Sequence, residues 1–405
     1  MGALHERDFT ILLLGRLVSW LGTGMVPVAL SFAVLDRGGS TSDVGWVLAA
    51  PTIPLVVFLL SAGVVADRTN RRLLMLSADV LRAVAQGVLA VWVLTGHPPF
   101  AAFLVLEAVV GTGTAWFTPA MSGILPSVAP PERLQQANSL WATAQSIGLL
   151  AGPAVAGVIV ATAGPGWAIA ADAASYAASA CCLAGLRLGW GRPQPSPERF
   201  GAGLLKGLRE FRSRTWLWSV VSQFSLLGAT VFAPFMVIGA VIAKHSLGGA
   251  DAWGLVLAAN GAGALASGIV LLRAQPRYPL AAGEVMLLAW AFPLLSLAFS
   301  APLGVLTLAA FVAGAAQGAF EPLWVTTMQR LLPAEVLSRV SAYDWFGSLV
   351  FLPLGYLLAG PLAAAVGTRP FLLACTAWLV VSTLAVLALR QVRTMTLPGD
   401  TVPQA

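Results

Sequence analysis

The chain has 405 residues, of which 58% are hydrophobic and only 10% charged, with a mean hydropathy of +0.83. That composition excludes a soluble domain of ordinary type, and charges confined to short clusters between apolar runs identify a polytopic helical membrane protein. The net charge of +6 does not indicate nucleic-acid binding, because the basic residues are spread over membrane-flanking loops. At about 20 residues per crossing, twelve spans are predicted. They lie at 9–35, 44–66, 73–95, 100–123, 138–162, 167–188, 216–243, 252–272, 281–300, 303–325, 340–364 and 370–389.

Span 1 holds Arg16, Trp20 and Thr23 in an apolar run too long for a cleavable signal peptide. Between spans 2 and 3 the chain reads Gly63-Val-Val-Ala-Asp67-Arg68-Thr-Asn-Arg71-Arg72. The glycine lets two helices approach and Asp67 suits a neighbouring helix end. The three arginines are expected in the water and headgroup layer. In span 3, Asp79 and Arg82 are three apart on one helix face, which predicts a local ion pair. Span 4 reads Leu104-Val-Leu-Glu107-Ala-Val-Val-Gly111. A carboxylate in hydrocarbon is costly, so Glu107 is expected to face a cavity or a partner such as Arg16. Span 5 carries Gly148-Leu-Leu-Ala-Gly152-Pro153-Ala-Val-Ala-Gly157. Small residues at this spacing pack helices backbone to backbone, and Pro153 bends the helix. Span 6 contains Asp172-Ala-Ala-Ser175-Tyr176.

The connection to span 7 is long. Pro193, Pro195 and Pro197 break any helix, and then Phe200, Leu204, Leu208 and Phe211 recur at helical spacing among basic residues. A short amphipathic helix on the inner leaflet is predicted there. The two flanking halves are related. A shift of 203 places Gly111, Phe117, Pro119, Pro130, Glu132, Leu134, Gly152 and Gly157 on Gly314, Phe320, Pro322, Pro333, Glu335, Leu337, Gly355 and Gly360. Earlier, Gly45-Trp-Val-Leu-Ala-Ala matches Gly254-Leu-Val-Leu-Ala-Ala. Such a parallel repeat predicts two six-helix bundles, residues 1–189 and 216–405, joined by a linker at 190–215. In the second half, Glu284 is expected at the membrane interface and Asp344 at the N-terminus of span 11. Glu321 precedes Pro322 in span 10, nearer the cytoplasmic end. Eighteen basic residues fall in the loops on the side of Arg68. Only Arg37, Lys244 and Arg369 fall opposite, which places both termini in the cytoplasm.

Together these features resemble the major facilitator superfamily. The stretch Gly63 to Arg72 is similar to its Gly-x-x-x-Asp-Arg-x-x-Arg-Arg signature between helices 2 and 3. The run Gly148 to Gly157 resembles the Gly-x-x-x-Gly-Pro-x-x-x-Gly motif of antiporters and exporters. From Gly15-Arg16-Leu-Val-Ser19-Trp-Leu-Gly22 to Leu332-Pro333-Ala-Glu335, nearly the whole chain resembles the macrolide-efflux and enterobactin-exporter branch. The resemblance implies an all-α membrane protein of twelve transmembrane helices in two six-helix bundles related by pseudo-twofold symmetry. It implies a cytoplasmic gate in which Gly63, Asp67, Arg68, Arg71 and Arg72 meet Arg339 at the start of helix 11. It also implies a central cavity lined by spans 1, 4, 7 and 10. By that resemblance the cavity candidates are Arg16, Trp20, Thr23, Glu107, Trp116, Gln223, Phe232, Gln317 and Trp324, and only a minority of the tryptophans are expected to touch substrate. Asp172 matches an acidic or Asn position of the macrolide-efflux-like members. Glu107 stands where many drug/proton antiporters have arginine, and Thr23 where many members have Asp. Proton coupling or substrate charge therefore falls to Glu107, with Glu321, Asp172 and Arg16.

The function expected is export of hydrophobic or amphipathic small molecules by alternating access, driven by proton entry. The partners are an amphipathic small molecule, protons and the lipid bilayer, with no nucleic acid. A monomer in the inner (plasma) membrane is expected, with no cofactor and no metal. Two other readings stay open: a lysophospholipid or lipid transporter of the same fold, and a non-transporting membrane sensor. A membrane enzyme finds little support, since His5, His97 and His245 are scattered in loops. Cys181, Cys182 and Cys375 lie inside apolar runs, which argues against a disulfide scaffold.

Overall fold

In hydrocarbon every backbone N–H and C=O has to be paired within its own segment, so long apolar runs fold as helices. The computed structural model describes residues 6–128, 133–187, 208–271 and 276–396. Of residues 60, 63–68, 122–123, 125–127, 134–135, 269–271, 334–336 and 338–339 it describes the backbone alone. Among the described residues no strand occurs. The first six helices are α1 (Arg7–Leu35), α2 (Thr41–Arg68), α3 (Arg71–Thr95), α4 (Phe100–Val128), α5 (Leu134–Ala163) and α6 (Pro165–Ala184). Next come α7 (Thr215–Leu247), α8 (Ala250–Leu271), α9 (Pro279–Ala298) and α10 (Leu303–Leu331). The last are α11, in two pieces (Ala334–Leu349 and Leu352–Val366), and α12 (Thr368–Ala388). Over their described residues, eleven of these are long and apolar enough to cross a membrane.

Local signals set the helix ends. Ser40 and Asp43 form a reciprocal capping box at the start of α2. Asn70 caps α3 by accepting from the Leu73 N–H at 3.1 Å. Pro234 cannot donate a backbone hydrogen bond, and a π-turn over Gly228–Phe232 lies just before it in α7. The helix expected over 340–364 starts earlier, at Ala334, because Pro333 ends the preceding extended backbone and opens the helix. The linker helix expected around Phe200 and Leu204 lies outside the described residues, which resume in helix at 208–212.

Contacts divide the chain into two compact units. Unit 1 comprises Met1–Pro197 and Ala240–Ala258, and unit 2 comprises Glu198–Gly239 and Ala259–Ala405. In unit 1, α1 packs on α5 and α6, α3 on α4 and α6, and α2 on α4. In unit 2, α9 packs on α10 and α12.

The sequence repeat reappears as repeated geometry inside each unit. A Cβ on Gly111 would overlap the Pro51 backbone, and one on Gly314 would overlap the Asn260 backbone. Pro51 and Asn260 are the next matched positions after the Gly45 and Gly254 runs. Likewise Gly152 meets the Gly24 backbone, while Gly355 meets the Ala229 backbone. Gly164 and Gly367, again 203 apart, both turn the chain with positive φ, +94° and +89°.

Candidate functional site

The interior of unit 1 holds a polar cluster on four helices. From α1 come Arg16, Ser19 and Thr23; from α3, Asp79, Arg82 and Gln86; from α4, Glu107; from α6, Asp172, Ser175, Tyr176 and Ser179. Glu107, Asp79 and Asp172 are 0% exposed, and Arg16 and Arg82 only 7% and 3%. Asp79 and Arg82 form the expected ion pair one turn apart, and Ser179 Oγ donates to Asp79 Oδ2 at 2.7 Å. The Arg82 guanidinium also lies over the Phe117 and Tyr176 rings, at 4.6 and 4.3 Å.

Glu107 takes its hydrogen bond from Gln86 Nε2, at 3.1 Å, and not from Arg16. Arg16 instead donates to Ser19 Oγ at 3.1 Å and stacks over Phe117 and Trp20, at 4.3 and 4.9 Å. Thr23 Oγ1 lies 3.2 Å from the Tyr176 hydroxyl and donates to the Ser19 carbonyl at 2.9 Å. A Cβ on Gly22 would fall 2.7 Å from Asp172 Oδ1, so the glycine lets that carboxyl reach the α1 backbone. Asp172 is within electrostatic reach of both Glu107 and Arg82. Glu107 Oε2 and Asp172 Oδ2 each lack a hydrogen-bond partner. Three carboxyls thus share one buried cluster with two guanidiniums.

The cavity candidates are distributed unevenly. Trp20, 6% exposed, packs edge-on against Trp141 at 4.8 Å. Trp116 is half-buried against Phe58. In unit 2, Trp216, Trp324, Phe320, Phe224, Phe232 and Trp290 form a continuous aromatic ladder, with successive centroids 4.8–6.3 Å apart. Trp324 is buried in it, whereas Phe232 is half-buried, as is Gln317 on α10. Gln223 is buried and donates to Thr383 Oγ1 at 3.0 Å. Glu321 is exposed on α10. Asp344 lies in mid-helix, not at an N-terminus, because α11 begins at Ala334. There it accepts from Trp324 Nε1 at 3.2 Å. Glu284, expected at the membrane interface, is 1% exposed inside unit 2, since its side chain faces Gln223 of α7.

The gate residues are described only in part. Gly63, Asp67, Arg68 and Arg339 lie on described backbone, but their side chains lie outside the described residues. Arg71 is exposed. Arg72 is turned into the protein. It is 7% exposed and donates to the Leu183 and Ala184 carbonyls at 2.9 and 2.7 Å, closing the C-terminal end of α6. The export motif splits its work. Gly148 and Gly152 face α1 at Trp20 and Gly24, while Gly157 meets Gly254 of α8, whose own Cβ would lie 2.6 Å from the Pro153 carbonyl.

Sequence reasoning left Gln86, Tyr176 and Ser179 out of the site and treated Asp79 and Arg82 as a local pair. A signal was present: Asp79, Arg82 and Gln86 recur at three and four residues, one face of α3.

The chain is similar to the multidrug efflux pump Tap of Mycobacterium tuberculosis, at 27% identity covering 98% of this chain and 95% of that one. It is also similar to macrolide efflux protein A of Streptococcus pyogenes, at 28% identity over 36% of each chain. Its fold matches the crystal structure of a bacterial homologue of the iron transporter ferroportin, with a TM-score of 0.71, 18% identity, and coverage of 94% of this chain and 98% of that one. The family profile of the Major Facilitator Superfamily matches residues 12–352. With its helices, its internal repeat and these likenesses, the chain belongs to the major facilitator superfamily as a multi-pass membrane protein.

Proposed function

We propose that this protein exports hydrophobic or amphipathic drug-like molecules in exchange for protons, by alternating access across the plasma membrane. The observation that carries the reading is the charge balance inside unit 1. Asp79, Glu107 and Asp172 face two buried cations in the cluster, Arg16 and Arg82. With every group ionised the cluster holds one surplus negative charge, and burying a lone ion costs roughly several kcal/mol. One proton on Glu107, or on its neighbour Asp172, makes the cluster neutral. Asp79 is already committed to Arg82 and Ser179, so the exchangeable proton belongs to the other two acids.

In this mechanism the ionised cluster favours the state that opens to water, and protonation of Glu107 removes the cost of closing. The energy is adequate, at about 2.3 kcal/mol per 100 mV for one charge and about 1.4 kcal/mol per pH unit. The resemblance to efflux pumps and the Gly148–Gly157 motif support export as the direction. The reading also places both termini in the cytoplasm, bundles at 1–189 and 216–405, and a monomer with an inner latch of Asp67 and Arg68 against Arg339.

The test is ethidium efflux from cells and from proteoliposomes, with and without a protonophore. Wild-type efflux is expected to collapse with the pH gradient. Glu107→Gln should lose gradient-driven export while keeping exchange of labelled dye. Full-rate, gradient-driven export by Glu107→Gln would exclude the mechanism.

A further inference from the structure

One buried acid plays no part in the unit 1 cluster. Glu284 on α9 is 1% exposed, and neither of its carboxyl oxygens has a hydrogen-bond partner of good geometry. Its polar neighbour is the Gln223 amide on α7, one of whose two N–H bonds goes to Thr383 on α12. Leu287, one turn on and 1% exposed, adds only apolar surface.

The repeat gives this acid a counterpart. Gly24 and Ala229, which occupy equivalent crossings, are 205 residues apart. The same interval takes Asp79 to Glu284 and Arg82 to Leu287. Each unit therefore buries an acid on its third helix. In unit 1 that acid is held by Arg82 and Ser179, whereas in unit 2 leucine stands in place of the arginine. The other charged side chains on elements packed against α9 do not replace it. Glu321 and Arg330 of α10, Arg369 of α12, and Arg390 and Arg393 beyond it are all exposed. Asp344 of α11 is engaged by Trp324, Lys244 at the far end of α7 pairs with Asp36, and the buried Cys375 thiol of α12 supplies no cation.

We propose that Glu284 is a second proton-binding site, in unit 2, separate from the Glu107–Asp172 cluster. An isolated carboxylate in such surroundings is unfavourable, whereas the neutral acid is tolerated beside an amide. When α7, α9 and α12 part enough to admit water, a hydronium ion transfers its proton to a Glu284 oxygen. The new O–H bond forms as water leaves, and the reverse step returns the proton to water on the other side. The inference rests on the proton-coupled reading and adds a second proton to the cycle.

Two measurements test it. The first is the infrared carbonyl-stretch band of protonated carboxyl groups in the purified, full-length protein, titrated from about pH 5 to about pH 9. Glu284→Gln should remove one titrating component, and Glu107→Gln with Asp172→Asn should remove another. Gln223→Leu should move the Glu284 component without deleting it, which keeps the test decisive if Glu284→Gln folds poorly. The second is ethidium accumulation in proteoliposomes under an imposed gradient of about one pH unit. Loss of one coupled proton should lower the steady-state ratio about tenfold in Glu284→Gln, with dye exchange retained. If the band and the accumulation ratio are both unchanged in Glu284→Gln, and Gln223→Leu moves nothing, Glu284 is a structural residue and the proposal fails while proton-coupled export stands. If wild-type transport ignores the pH gradient, the export reading fails, and the infrared component alone then decides whether Glu284 binds a proton.

Discussion

At the scale of single residues, the unit 1 interior is held by groups that cannot be removed one at a time. Arg82 neutralises Asp79 and covers two aromatic faces. Replacing it with Met leaves a buried carboxylate unpaired, at a cost of about 3–5 kcal/mol. Arg82→Met is therefore expected to lower the melting temperature sharply in a thermal-shift assay, and Arg82→Met with Asp79→Leu to restore most of it. A double variant as unstable as the single one would show that the aromatic contacts, not the charge, carry the stability. Spacing along α3 made the Asp79–Arg82 pair legible in the sequence. Its third member, Ser179, comes from α6, a hundred residues away, and no local pattern links them. Arg72 makes the same point in reverse. Its place beside Asp67 and Arg68 suggests a headgroup anchor, yet α6 ends within its reach and supplies two carbonyls that hydrocarbon cannot satisfy.

At the scale of helices, close backbone crossings organise both units. Gly111 against Pro51 and Gly314 against Asn260 are the same contact made twice. Alanine at either position must push two backbones apart, and overpacking of this kind costs about 1–3 kcal/mol. Gly111→Ala and Gly314→Ala should destabilise the purified protein by similar amounts, read from thermal unfolding. A large loss in one and none in the other would mean that the two crossings are not equivalent. The glycines of the Gly148–Gly157 run were readable as packing residues, because small side chains at this spacing have few other uses in hydrocarbon. What each one touches was not readable. Gly148 and Gly152 meet α1, but Gly157 meets Gly254 at the start of α8. Helix ends were less legible than helix interiors, because hydropathy changes gradually where caps, prolines and π-turns decide the boundary.

At the scale of the whole molecule, the asymmetry of basic residues predicts an orientation that labelling can check. In a background with the three native cysteines replaced by serine, Ser300→Cys in the α9–α10 turn should react with an impermeant maleimide from outside intact cells. Asn70→Cys in the α2–α3 turn should react only after the membrane is opened. The opposite pattern would invert the topology and, with it, the direction assigned to export.

The sequence by itself determined the class of the molecule, the number and approximate limits of its helices, the internal repeat and the family. Each of these rests on composition or on residues near one another in the chain, where hydrophobicity and helical periodicity act directly. Only the tertiary structure decided which buried polar groups share an environment. It set Glu107 beside Gln86 and not Arg16, brought three acids into one cluster with two arginines, and drew Glu284 into the interior of unit 2. Those pairings depend on how separate helices rotate and cross. In a solvent that cannot hydrogen-bond, each ionisable side chain turns toward whatever partner the packing brings within reach.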